Sequence, residues 1–192
     1  IDVKRDASPQ VVLNQLYTYT QMQTTFGVIM LAIVNGEPKT LTLKEILQQY
    51  ISFQEDVITR RTQYDLRKAK ERAHILEGLK IAIDFIDEVI AIIRSSKTVQ
   101  EGRARLTERF GLDDLQTQAI MQMPLGRLTG LERQKLEDEI NGLMAKIADY
   151  EDILSNETRL LGIIKEESLN IKNKFSDERR TEIAAISGEV DI

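Results

Sequence analysis

The sequence predicts a mainly α protein: a long antiparallel coiled-coil stalk carrying a small helical globular knob, with a small β-hairpin, α+β, at its N-terminal base. Three observations predict it. First, an unbroken 4-3-4-3 count runs through Leu136, Ile140, Leu143, Ile147, Tyr150, Leu154, Glu157, Leu161, Ile164, Ser168, Ile171 and Phe175, and all but Glu157 and Ser168 are apolar or aromatic. Such a seam stays on one side of a helix only if the helix winds around a partner. Second, an upstream stretch opening at Thr42 supplies a second amphipathic arm from the same chain. Third, the residues between the arms read as short, greasy helices separated by capping signals.

Each element has its own signal. Ile1–Arg5 alternates apolar and polar residues and reads as a strand end. Ser8-Pro9 is an N-cap followed by a first helical position, for a helix carrying Val11, Val12, Leu13 and Leu16 that fades near Thr20. Gly27 to Val34 is rich in β-branched residues and runs into Asn35-Gly36, a strong hairpin signal because both turn residues take positive φ. Lys39 to Leu41 returns as the second strand.

Thr42-Leu43-Lys44-Glu45 is a capping box, with Leu41 and Ile46 placed as a hydrophobic staple. The helix it opens is expected to reach Glu77, before Gly78, with Leu43, Leu47, Tyr50, Val57, Tyr64, Ala69, Ala73 and Leu76 on its apolar face. Leu79 to Ile93 reads as a separate helix, apolar nearly all round and so buried on more than one side. Thr98–Glu101 is a second capping box, with Gly111 as the stop after Phe110. Asp113–Gln116 is a looser box for a helix ending near Pro124, and Thr129–Glu132 opens the return arm. That arm is expected to break at Ser155-Asn156, two residues that favour caps over helix interiors. Ser176 to Ile192 has little apolar periodicity.

The expected organisation is therefore a base over residues 1–41, an outgoing arm over 42–78, a knob over 79–130, a returning arm over 131–176 and a tail over 177–192. A knob of that size buries little core alone. Its simplest partner is a second copy across a two-fold axis.

Composition excludes several classes. Charged residues make up 30% of the 192 and aromatics 5%, a mix suited to long amphipathic helices. With no cysteine, disulfides and thiolate metal sites are ruled out. No apolar stretch approaches the ~20 residues of a membrane span. A net charge of −5 argues against nonspecific nucleic-acid binding by the whole surface. Ile1 is not an initiator, so a longer parent chain is expected.

No catalytic constellation is found. The lone histidine, His74, has no Cys or Asp at ligand spacing and reads as structural or surface. Gly126 to Gly130 lacks the Gly-Lys-Ser/Thr of a phosphate loop. Asp113-Asp114 and Glu166-Glu167 read as caps or solvated faces, and Tyr17, Tyr19, Tyr50, Tyr64 and Tyr150 as core. One band stands out: Arg60, Arg61, Arg67, Lys68, Lys70 and Arg72 face only Asp65 and Glu71 in the same stretch. Two readings apply, a solvated face paired with its own or the opposite arm and transient contact with the phosphate backbone of a passing duplex.

Six runs of residues carry a family resemblance: Arg60-Arg61-Thr62, Leu66–Ala69, Ala73–Leu79, Gln118–Ile120, Leu128–Glu132 and Arg179–Ile183, in that order. Together they resemble the A subunits of the bacterial type IIA topoisomerases, DNA gyrase more than its paralogue topoisomerase IV, over essentially the whole chain. The resemblance implies an isomerase that cuts both strands of one duplex with a tyrosine and passes a second duplex through, changing DNA topology. It implies that the stalk and knob form the exit gate, closed by pairing with a second copy, and that the base is the end of the tower subdomain. It implies further partners: the B subunit in an A2B2 assembly, which holds ATP and Mg2+, and double-stranded DNA in transit, in the cytoplasm. The family's tyrosine lies in an Arg-Tyr-Thr context that does not occur here, so this stretch is expected neither to cleave DNA nor to hydrolyse ATP, and no cofactor, metal or catalytic residue is assigned to it.

The expected dimer surface is Leu115, Ile120, Met121, Met123, Leu125 and Leu128, each of which has ordinary knob core as its alternative. Arg60, Arg61, Arg67 and Lys68 are the candidates for contact with DNA backbone. Pro124 and Gly126 stand where the family generally has arginines or glutamine, which sets this segment apart. The competing class is a coiled-coil scaffold with no link to DNA.

Overall fold

A computed structural model describes residues 2–183, except the side chains of Leu125 and Leu128. The structured elements are α1 (Pro9–Tyr19), β1 (Leu31–Val34), β2 (Glu37–Thr40), α2 (Leu43–Asp84), α3 (Ile86–Ser95), α4 (Val99–Phe110), α5 (Asp114–Met121), a 3-10 turn (Leu125–Leu128), α6 (Gly130–Ser155) and α7 (Glu157–Phe175). They fall into two units, one of residues 1–50 with 172–192 and the other of residues 51–171.

In the first unit, Pro9 opens α1 behind Ser8, whose side chain makes no capping bond. Residues 2–5 lie in no strand, against expectation, because the sheet among the described residues has only two members and neither pairs with them. Asn35 (φ 53°) and Gly36 (φ 83°) make the predicted tight turn. It fixes the antiparallel register Leu31↔Thr40 to Val34↔Glu37. The first strand is shorter than the β-branched run, starting at Leu31 instead of Gly27, since beyond it only one further ladder bond forms, from Leu41 N–H to Met30 O at 2.9 Å. The capping box forms as read: Thr42 N–H donates to Glu45 Oε2 at 2.7 Å, and Glu45 N–H to Thr42 Oγ1 at 3.3 Å. These bonds to the ionised carboxylate hold Glu45 below the ordinary glutamate range, the Thr42 backbone N–H contributing most.

The second unit contains the paired arms. Helix α2 does not stop at Gly78; it runs on to Asp84. Gly78 is buried in the helix interior, and a Cβ there would lie 2.7 Å from the Gln116 Cβ. The glycine is a seat for another side chain, not a terminator. The chain bends instead at Phe85 (φ −115°, ψ 38°), whose ring meets Phe110 at 5.7 Å between centroids. The Val89 N–H still reaches Phe85 O at 3.0 Å, so the greasy segment divides at Phe85 between α2 and α3 rather than forming one helix from Leu79.

The arms run antiparallel: Arg61 meets Glu167 at 2.7 Å, Lys70 meets Glu151 at 2.6 Å and Arg72 meets Glu139 at 2.8 Å. All six side chains are about half exposed, so each pair contributes on the order of 0–1 kcal/mol and serves mainly to set register. Between them Ala69, Ala73 and Ile147 are buried, with Leu66, Leu143 and Tyr150 packed against them. Two alanines facing an isoleucine let a large knob enter a shallow hole.

The seam departs from the predicted count in three places. On α2 the off-count residues Ile58 and Thr62 are buried, while Tyr64, expected on the seam, is 54% exposed with the Arg67 guanidinium 5.3 Å from its ring centroid. Leu43, Leu47 and Tyr50, also expected on the apolar face, are exposed, and so is Tyr19. On the return arm the count holds at Ile147, Leu154 and Ile164, which are covered, while the off-count neighbours Ile153 and Leu160 are covered as well and the counted Glu157, Leu161, Ser168, Ile171 and Phe175 are exposed. Between Ile153 and Leu160 lies Asn156 (φ −123°, ψ 101°), which ends α6 with its N–H on Asp152 O and starts α7 with its side-chain oxygen accepting from Arg159 N–H at 3.3 Å. Polar Glu157 and Ser168 gain nothing from burial, and around the predicted break the neighbouring apolar residues share the seam.

The remaining helices form the knob around Leu76, Leu79, Ala82, Val89, Leu106, Leu112, Ile120 and Leu136. Thr98 caps α4 as predicted, its Oγ1 accepting from Glu101 N–H at 3.1 Å, while the Glu101 carboxylate takes the N–H of Lys97 instead of that of Thr98. Gly111 (φ 68°) ends α4. Helix α5 stops at Met121 rather than near Pro124, its Gln122 cap turning the chain into the extended Pro124. Arginines tie each layer to the next: Arg109 to Glu88, Arg103 to Asp114, and Arg133 to Asp84.

The corrected seam is testable. Ile153 is 7% exposed and Leu161 is 39% exposed. I153A is expected to cost about 2–4 kcal/mol and L161A under about 1 kcal/mol in urea unfolding; the reverse order would restore the unbroken count.

Candidate functional site

Two surfaces of the second unit contain the predicted site residues. The first is a groove of about 330 Å³ lined by Ile86, Val89, Ile90, Ile93 and Arg94 of α3 and by Ile120, Met121, Met123 and Pro124. It exists because the apolar face of α3 is wider than the knob core covers. Val89 is buried in the core while Ile86, Ile90 and Ile93 remain half-exposed. On the facing wall, α5 ends at Met121 and extended Pro124 carries the chain away, leaving Met121 and Met123 half-buried. Arg94, in the last turn of α3, is the basic residue of this otherwise apolar lining.

Of the six predicted gate residues, Ile120, Met121 and Met123 are brought together here. Ile120 is only 3% exposed and belongs to the knob core, so its role in the groove is to form the floor. Leu115 is 61% exposed on α5 and is not among the groove residues. Leu125 and Leu128 lie in the 3-10 turn, and their side chains are outside the described residues. Sequence reading missed Ile86, Ile90 and Ile93 as groove residues, although the excess of apolar residues in Leu79–Ile93 was the signal.

The second surface is the basic band. Arg60 pairs with Asp56 at 2.7 Å, Arg61 with Glu167 at 2.7 Å, Arg67 with Glu71 at 3.4 Å and Lys68 with Glu71 at 2.9 Å. Lys70 and Arg72 pair across the arms. Glu71 serves two cations and its carboxyl is held below the usual range, Lys68 contributing most. Every cation of the band thus has a carboxylate partner, yet all remain about half exposed or more.

Behind the groove, α5 is anchored at its other end. Asp113 Oδ1 accepts the Gln116 N–H at 2.8 Å and Gln116 Oε1 accepts the Asp113 N–H at 3.1 Å. His74, without a partner at ligand spacing in sequence, meets Asp113 Oδ2 through Nε2 at 2.5 Å. The Gln116 backbone N–H, then His74, hold the Asp113 carboxyl below the ordinary aspartate range. Among the described residues no group of three or more His, Asp or Glu side chains could hold a metal ion, and no helix is long and apolar enough to cross a membrane.

The lowered Asp113 value sets a pH window. Its contribution is present above the ordinary aspartate pKa and is lost as pH falls through the lower folded value. The melting temperature of the unsubstituted chain is expected to exceed that of D113N at pH 6, with the gap closing below about pH 4. A gap unchanged down to pH 2 would contradict this assignment.

Residues 1–169 match the family of DNA gyrase/topoisomerase IV A subunits. The chain is 55% identical over 192 residues to the DNA gyrase A subunit of Clostridium acetobutylicum, covering 100% of this chain and 23% of that protein. It is 56% identical over 183 residues to the DNA gyrase A subunit of Streptococcus pneumoniae, covering 95% of this chain and 22% of that protein. Against the corresponding protein of Mycolicibacterium smegmatis it is 53% identical over 190 residues, 99% of this chain and 23% of that protein. The chain therefore spans less than a quarter of the length of these relatives. With most of its length matched, the chain belongs to the family of DNA gyrase/topoisomerase IV A subunits.

Proposed function

We propose that this stretch is the exit-gate and dimerisation segment of a bacterial DNA gyrase A subunit, within an ATP-dependent type IIA enzyme that negatively supercoils DNA by double-strand passage. Family membership and the gyrase names of its relatives support the enzyme class. The observation that carries the gate reading is the groove between α3 and the end of α5, an apolar surface the knob does not cover itself. A gate must open and reseal, so its contact should be apolar but limited in area. In this reading Met121, Met123 and Pro124 with the outer face of α3 meet a second copy, and Leu115, Leu125 and Leu128 remain candidates at the margin.

The parent enzyme would be an A2B2 assembly in a cytoplasmic setting. Its B subunit would handle ATP and Mg2+, and double-stranded DNA would pass between the stalks. This stretch would contribute mechanics and not chemistry. The domain limits 1–41, 42–78, 79–130, 131–176 and 177–192 are part of the same proposal. A topoisomerase IV equivalent and a scaffold unrelated to DNA are the alternatives; the family match disfavours the scaffold, and the gyrase names of the relatives favour gyrase over topoisomerase IV.

The test is self-association. The 22.0 kDa chain is expected to sediment as a dimer at micromolar concentration. M123E and I90E are each expected to raise the dimer dissociation constant about tenfold or more without loss of helical circular dichroism. A monomeric parent chain, or variants that pair unchanged, would overturn the assignment. For the basic band, replacing Arg60, Arg61, Arg67 and Lys68 by glutamine in the assembled enzyme is expected to slow supercoiling and flatten its salt dependence; an unchanged rate would leave the band as internal pairing only.

A further inference from the structure

Two pairs far apart in sequence, His74 with Gly78 and Asp113 with Gln116, form one joint between the long helix and α5. Gln116 is buried and all its side-chain polar atoms are engaged. Its Oε1 accepts the Asp113 N–H at 3.1 Å, and its Nε2 donates to the backbone carbonyl of His74 at 2.8 Å. The orientation of the amide is fixed by these two bonds, because Oε1 must face a donor and Nε2 an acceptor. Its Cβ and Cγ lie where a side chain on Gly78 would be, at 2.7 and 2.8 Å from the position of the missing Cβ. His74 closes the joint from the other side through Asp113. Gln116 Nε2 also faces His74 Nδ1 at 3.5 Å, which favours the tautomer with its proton on Nε2, directed at the carboxylate.

Helix α5 is only eight residues long, about 12 Å. One end is held in this joint. The other end supplies Ile120 and Met121 to the groove, with Met123 directly after it. The Met121 methyl lies beside Gly102 of α4, 3.5 Å from where a Cβ there would be. A helix of about two turns pinned at one end transfers a displacement of that end to the other, having little length over which to absorb it.

We propose that Gln116, seated on Gly78, is the pin of a mechanical linkage by which the stalk arm α2 sets the position of the groove wall formed by Met121 and Met123. The linkage adds regulation to the gate surface proposed above and rests on that reading for its biological meaning, though not for its existence. Bending or rotation of α2 at the level of Gly78 moves the Gln116 side chain, and α5 carries the movement to the groove. Conversely, occupation of the groove biases α2. Opening of the arms and unsealing of the knob are then one coupled motion.

The test uses the full chain labelled at its methionine methyl groups. Its five methionines report independently: Met121 and Met123 at the groove, Met144 on α6, and Met22 and Met30 in the first unit. In G78A the new Cβ displaces Gln116, and the Met121 and Met123 resonances are expected to move by more than a linewidth while those of Met22, Met30 and Met144 stay in place. Q116A, which removes the pin without adding bulk, is expected to broaden or move the same two signals, and it carries the test if G78A does not fold. Dimer affinity in either variant is expected to fall about tenfold. A folded Q116A with Met121 and Met123 unmoved, or with all five signals moved alike, would overturn the linkage even if the chain dimerises normally. A monomeric parent chain whose Met121 and Met123 still respond would overturn the gate reading and leave the linkage standing.

Discussion

Everything in the second unit depends on one narrow apolar seam between two arms of the same chain. An isolated amphipathic helix of this composition is marginal in water, because nucleation is costly and most helical stability in proteins comes from packing of the apolar face. Here Ile58, Ala69, Ala73 and Leu76 of α2 are covered, as are Leu136, Ile147, Ile153 and Ile164 of the return arm. The alanines are decisive: they let the backbones approach, so that Ile147, Leu143 and Tyr150 can pack without a wide interface. Half-exposed ion pairs then settle which residue stands opposite which, at little energetic gain. The knob inherits this arrangement, since Leu76 and Leu136 belong both to the arms and to its core.

Much of this was readable from local chemistry. Thr42, Thr98 and Asp113 each announced a helix start because their side-chain oxygens have one obvious use beside an orphan N–H. Asn35-Gly36 announced the hairpin because few other pairs tolerate two positive φ values. Asn156 announced a break. What local chemistry could not supply was the choice between equivalent periodicities. Val57 and Ile58 are adjacent, and only the partner arm determines which one turns inward; the same holds for Leu160 and Leu161. Gly78 misled for a related reason: a glycine inside a helix looks like a stop until the side chain occupying its missing Cβ is known, and Gln116 lies 38 positions away.

The candidate site was legible in part. The resemblance implied a gate, the apolar residues Leu115 to Leu128 were its expected surface, and Met121 and Met123 do line the groove. For Ile120 the knob-core alternative applies and it forms the floor, because a residue one position before Met121 on a helix points about 100° away from it. For the basic band, pairing with its own or the opposite arm was one of two readings; spacing shows Asp56 four residues from Arg60 but cannot show that Glu139, Glu151 and Glu167 are within reach. Long-range partners are invisible to spacing arguments, and three of these four come from the opposite arm.

The non-helical geometry of Asn156 has a consequence for compliance. The arm that returns is two stiff rods joined at a single residue, while α2 at the same level is one uninterrupted rod. The joint is braced: Arg159 on α7 pairs with Asp149 at 3.0 Å across it and stands 3.8 Å from Asp152. A change of angle between the two rods must therefore part those pairs, whereas α2 has no such break and can curve only by spreading small distortions over many turns.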